Sequence, residues 1–292
     1  MLYFKTIEDY SIGELIMKKE TKKKSLRILD FIVPAICISI MIYAGYNLFT
    51  IYKSYSEAAN IYNGLALYVS EDNDGTTEAV EMQEAGFPYV NVDFEALSAI
   101  NSDFLGWLYF PLLEISYPVV YGDEDFTYLH VAMDGTPSNS GCIFIDCESN
   151  PNLKDMTTIF YGHNMRNGSM FGSLKKVRSD ANLILEDPYF YYYTPTMAYK
   201  CHVFAYYLDV DGGQTYMAPE NEAGYDKYLN YVLSKNEYAG GPETVDLSHR
   251  PRIVTLSTCS GRNSGKRTVI QACIEDTYEL SNTIVKDSFD VN

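Results

Sequence analysis

A chain of 292 residues, 47% hydrophobic and 21% charged, is long enough to bury a core and has room for one sizeable domain or two small ones, which excludes disorder throughout. Its formal net charge of −17 excludes nucleic acid as a partner, because such a surface repels phosphate. The 27 tyrosines and 14 phenylalanines against one tryptophan favour β structure, since aromatic rings pack well on pleated surfaces.

The charge is unevenly divided along the chain. Residues 1–27 hold seven basic side chains (Lys5, Lys18, Lys19, Lys22, Lys23, Lys24, Arg27) against four acids, and the 15 basic and 35 acidic residues that follow leave the remainder at −20. Between Asp30 and Lys53 lie 22 uncharged residues, 31–52, which as a helix reach about 33 Å and cover a bilayer core. The lysine cluster in front of this run sets the N-terminus inside, and Tyr43, Tyr46 and Tyr52 lie towards its outer end where aromatic rings anchor. The run exceeds the h-region of a cleaved signal, and no clean small-x-small site follows, so an uncleaved anchor is expected. Met17 opens a compact basic-then-apolar leader and is an alternative start. The predicted organisation is a cytoplasmic basic tail over 1–30, a transmembrane anchor over 31–52, an extracytoplasmic stalk or helical spacer over 53–92, and a folded domain over 93–292.

Within the spacer, residues 56–69 read as a helix leaving the membrane, and Asp74-Gly75 as a turn. Asp93 then caps a short helix that leads into a strand at Trp107. Strand-like runs recur at 107–110, 117–121, 141–146, 157–161, 189–194, 200–210, 253–258 and 268–275. Eight strands suit a closed barrel. Helical interruptions are expected at 169–177 and 222–234, where Tyr225, Tyr228, Leu229 and Val232 share one apolar face.

The run Thr255-Leu256-Ser257-Thr258-Cys259 ends a buried strand with a cysteine at its lip, and 268–274 returns as its antiparallel neighbour after a Gly- and Ser-rich loop. Closing that hairpin brings Arg267 beside Cys259, whereas Arg262 falls at the loop tip. A cation beside a thiol favours the thiolate, which makes Cys259 the candidate nucleophile. Of the other five cysteines, Cys37 lies in the membrane run. Cys142 and Cys147 are too far apart along one extended segment to bridge, at about 16 Å, and free cysteines are usually buried small hydrophobes. With no Cys-x-x-Cys or clustered histidines, neither a metal nor another cofactor is expected.

The nucleophile needs a proton-transfer partner among His130, His163, His202 and His249. His249 stands ten residues before Cys259 on one extended segment, at the wrong end. His202 lies inside a strand. His163 follows Thr157-Thr158-Ile159-Phe160-Tyr161 and the strand-breaking Gly162, so it stands at a strand end facing a loop, where catalytic groups are commonly held. His130 is the reserve.

These residues resemble the sortases, membrane-anchored cysteine transpeptidases of Gram-positive bacteria, and most closely class B. Thr255-Leu256-Ser257-Thr258-Cys259 is similar to the family's Thr-Leu-x-Thr-Cys signature, Tyr161-Gly162-His163-Asn164-Met165 to the stretch with its histidine, and Arg267 stands in the place of its arginine. The likeness spans 93–275, and 222–234 is similar to the extra helix of class B. The resemblance implies an eight-stranded sortase-type β-barrel with N-terminal helices and that extra helix before the cysteine strand. It implies cleavage of a C-terminal sorting motif of secreted proteins after threonine, by way of a thioacyl intermediate, and transfer to an amine of a cell-wall peptide or lipid-linked precursor. Cys259, His163 and Arg267 would be catalytic, Ser257 and Leu129 would line the motif groove, and the loop carrying Tyr216 would offer a further wall. After the cysteine, Ser260-Gly261-Arg262-Asn263 lacks the acidic residue class B members often carry there. An exported cysteine endopeptidase that releases its acyl group to water, using the same residues, is the alternative.

Overall fold

The computed structural model describes residues 5–71, 75–124, 127–180, 182–259 and 265–280; of residues 5–30 only the side chains of Leu15, Met17 and Lys18 are described, and the side chain of Cys259 is outside the described atoms. The chain divides into two units, Met1–Tyr55 and Ser56–Asn292.

The described residues of the first unit lie within helix α1 (Lys5–Leu65). A stretch within Phe31–Tyr68 is long and apolar enough to cross a membrane. Phe31, Ile40, Ile42 and Phe49 are all more than 60% exposed. A helix apolar all round, with its side chains unburied by protein, fits a single-pass anchor.

The second unit begins with the tail of α1, where Ala58, Tyr62 and Leu65 are buried. Next come β1 (Val69–Ser70), α2 (Thr77–Glu84), β2 (Asn91–Val92) and α3 (Phe94–Ile100). The barrel strands β3 (Phe104–Phe110), β4 (Ile115–Val120), β5 (Ile143–Ile145), β6 (Thr157–Tyr161), β7 (Tyr189–Tyr193) and β8 (Met197–Val210) follow, with the short helices α4 (Lys175–Ser179) and α5 (Leu183–Glu186) between β6 and β7. Helix α6 (Glu222–Lys235) precedes β9 (Ile253–Cys259) and β10 (Lys266–Glu279). The eight strands close into a barrel in the order β10-β8-β7-β3-β4-β5-β6-β9. This is the expected architecture, with β4–β5 and β6–β9 parallel and the other pairs antiparallel.

The aromatic content is used as its composition implied. Trp107, Phe110, Phe160, Phe190, Tyr192, Tyr193, Phe204 and Tyr207 are all fully buried strand residues. Tyr225, Tyr228 and Val232 of α6 pack with Phe204, Tyr207, Ile253 and Val269 of the barrel wall. Asn221 caps that helix by accepting the Gly224 amide at 2.9 Å, and Asp93 caps α3 through Ala96 at 2.9 Å.

The stretch read as a spacer differs from that reading beyond Ser56, because it packs onto the barrel. Tyr62 donates to the Gly141 carbonyl and meets Tyr117 edge-on at 5.4 Å. Phe87, buried, lies 6.1 Å from Tyr191 and 5.9 Å from Tyr278, and the Tyr193 hydroxyl donates to Pro88 at 2.8 Å. The apolar residues responsible are too sparse among acids to register as a pattern, yet each finds a barrel partner. Asp74 of the expected turn lies outside the described residues, and Gly75 follows it at φ +74°.

Candidate active site

Two parallel strands set the site. β6 and β9 pair with Thr157 opposite Ile253 and Tyr161 opposite Ser257, and the Gly162 amide extends the ladder to the Ser257 carbonyl at 3.2 Å. His163 and Cys259 each stand two residues past that last pair, so they lie at the same end of neighbouring strands. β9 and β10 pair antiparallel with Cys259 opposite Arg267, and β8 places Asp209 on the other side of Arg267. The rival Arg262 lies outside the described residues, as do 260–264 altogether.

Leu129, His163, Tyr216, Ser257 and Arg267 share one cleft of about 290 Å³, with Phe144, Tyr161 and Asp211 among its other walls. Ser257 is fully buried and forms the floor, its hydroxyl 2.9 Å from that of Tyr216. The Tyr216 ring stacks on Tyr161 with centroids 6.3 Å apart and planes 14° from parallel. Burial pushes the Tyr216 hydroxyl upwards, so it stays a neutral donor.

The His163 imidazole is held on two sides. Its Nε2 lies 2.6 Å from the Leu129 carbonyl; a carbonyl only accepts, so Nε2 carries the proton and Nδ1 is the nitrogen left to exchange one. His130 stacks on it with ring centroids 5.6 Å apart. Burial holds the His163 pKa below its ordinary value, the Leu129 carbonyl opposes that shift, and the electrostatic influence of His130 and Arg267 adds to it. A glycine precedes His163 for a steric reason: a Cβ on Gly162 would come within 2.5 Å of Ile143 and 2.8 Å of Phe171.

The Arg267 guanidinium is gripped by Asp211, Nε donating to Oδ1 and Nη2 to Oδ2, both at 3.1 Å. Asp211 escaped the sequence reading. Its only local signal is the Asp209-Val210-Asp211-Gly212-Gly213 run, and its partner lies 56 residues away.

The other histidines are elsewhere. His202 is buried in β8 with Nδ1 2.5 Å from Glu275, and His249 is exposed beside Asp246 at 3.5 Å. Cys142, Cys201 and Cys273 are buried, and Cys147 is half-buried.

The family model described as Sortase domain matches residues 108–275. Sortase B of Listeria monocytogenes is 30% identical over 211 residues, 67% of this chain and 81% of that protein. Sortase B of Staphylococcus aureus is 29% identical over 195 residues, 64% of this chain and 76% of that protein. Among solved structures, sortase B from Bacillus anthracis superposes with a TM-score of 0.61 at 26% identity, covering 76% of this chain and 98% of that one. Sortase B of Clostridium perfringens gives 0.56 at 30% identity, covering 64% and 99%.

Proposed function

The chain belongs to the sortase family, whose members are cysteine transpeptidases, and from that premise we propose a class B enzyme that cuts a C-terminal sorting motif of secreted proteins after threonine and joins the new end to an amine of a cell-wall peptide or its lipid-linked precursor. Residues 1–30 are its cytoplasmic tail, 31–52 its anchor, and the barrel works outside the membrane of a Gram-positive cell. Charge supports this orientation, because the basic side chains cluster before the apolar run and acids dominate after it.

The observation that carries the assignment of residues is register. The β6–β9 pairing ends at Tyr161 and Ser257, so His163 and Cys259 follow at one mouth, and Arg267 stands opposite Cys259. The Cys259 thiolate attacks the carbonyl carbon of the motif threonine, forming a C–S bond. As the tetrahedral intermediate collapses, the peptide C–N bond breaks and His163, protonated, gives its proton to the leaving amine. Neutral His163 then takes a proton from the acceptor amine, which attacks the thioester and expels the thiolate. Arg267 donates to the substrate backbone or to the developing oxyanion. Leu129, Ser257 and Tyr216 line the groove for the motif.

Incubating a library of labelled pentapeptides with the enzyme, with and without an added amine, tests this reading. A transpeptidase yields the amine adduct; release of the free acid alone, whatever the amine concentration, identifies an endopeptidase. Cys259→Ala abolishes either product, and retained cleavage in that variant removes Cys259 from the mechanism.

A further inference from the structure

The cleft holds one charged side chain that the reaction above does not use. Asp211 follows β8 directly, and its two oxygens each receive an Arg267 N–H at 3.1 Å. Two parallel contacts of this kind fix the plane of a guanidinium as well as its position. Asp211 takes the Nε and Nη2 edge of the fork.

The segment that presents Asp211 is anchored at several points. Its amide donates to the Gly265 carbonyl at 3.1 Å, and the Gly213 amide donates to Val210 at 3.1 Å. Gly212 takes φ +67°. Gly213 sits so close to Asp209 that a Cβ would come within 2.9 Å of both carboxylate oxygens. Asp209 itself is buried. It accepts the hydroxyl of Thr215 and, at 2.7 Å, that of Tyr231 on α6. The loop is therefore wrapped round one buried carboxylate and held against the helix, the construction of a fixed support rather than of a lid.

Side-chain exposure is 64% for Asp211 and 26% for Arg267. An ion pair this wet contributes little to folding, so its consequence lies in orientation. We propose that Asp211 is a positioning residue for transpeptidation, fixing the guanidinium of Arg267 and thereby the direction of the donors it offers the acyl carbonyl. This rests on the role given to Arg267 above.

The test is a double-mutant cycle on the full-length enzyme in detergent, with the best-cleaved labelled pentapeptide as probe. kcat, KM and melting temperature are measured for the wild type, Asp211→Asn, Arg267→Lys and the double variant. Asp211→Asn keeps its melting temperature and loses roughly 10- to 100-fold in kcat/KM, mostly in kcat. It costs nothing further once Arg267 is lysine, because the two act as one unit. Asp211→Glu, which keeps the carboxylate, recovers part of the loss. Unchanged kcat/KM in Asp211→Asn, a rate above wild type, or an undiminished loss on top of Arg267→Lys overturns the inference and leaves the proposed function standing. A wild type that cleaves no pentapeptide overturns both.

Discussion

Gly162 is where packing and chemistry meet most directly, and Gly162→Ala tests that link. The added methyl would lie 2.5 Å from Ile143 Cδ1 and 2.8 Å from Phe171 Cδ2 and Cγ, whereas carbon atoms rest at about 3.5–4.0 Å. Ile143 and Phe171 are both fully buried, so neither yields without disturbing its own neighbours, and an overlap of this kind costs about 1–3 kcal/mol. For a folded unit of this size, 2 kcal/mol corresponds to a fall of about 4–8 °C in melting temperature. The alternative to compressing the core is to move the strand end. The Gly162 amide is bonded to Ser257 at 3.2 Å, and the His163 carbonyl accepts from Met165 at 3.1 Å and Phe171 at 3.0 Å. A displacement of this segment therefore carries the imidazole with it, and about 1 Å of misplacement costs up to roughly 100-fold in rate. Thermal unfolding read alongside kcat/KM for pentapeptide cleavage measures both effects. A variant with wild-type melting temperature would refute the packing argument, and one that melts early yet cleaves normally would refute the coupling between Gly162 and His163.

Three further outcomes are expected. Arg267→Lys lowers kcat/KM by about 100-fold or more, because a point charge reproduces neither the planar fork nor its grip on Asp211; near-normal steady-state rates would exclude a directional role. The folded His163 pKa lies below the unfolded value of about 6.5, so the unfolded chain takes up this proton first. Its contribution to stability is complete above pH of about 6.5 and is lost as pH falls through the lower folded value. In the pH profile of kcat/KM the same shift centres the acid limb below pH of about 6.5, and a limb centred above that contradicts burial as the dominant influence on the ring. Tyr62→Phe removes the hydrogen bond to the Gly141 carbonyl and lowers stability by about 1–2 kcal/mol. That loss reads as a lower urea midpoint with unchanged slope, and an unchanged midpoint would mean that residues 56–65 add nothing to the barrel.

Much of this protein was legible in its sequence, for reasons that can be stated residue by residue. Strands announce themselves by β-branched and aromatic runs, so the eight barrel strands, the Cys259 lip and the strand end before His163 were visible without coordinates. The apolar run over 31–52 was equally plain, because a bilayer demands an unbroken stretch. α6 was legible from one apolar face.

Other features depended on distance in space. Leu129 meets His163 across 34 residues, and Asp211 grips Arg267 across 56; neither pairing leaves a periodic trace. Strand spacing implied a closed barrel, but only strand order decided that β6 and β9 lie side by side and parallel, which is what gathers one end of each into a common cleft. The residues after Ser56 look like solvent-facing spacer until Tyr62 and Phe87 are seen against Tyr117 and Tyr191. Local chemistry is written in neighbours along the chain, whereas a site is assembled from loop ends whose meeting is fixed by register and closure of the sheet.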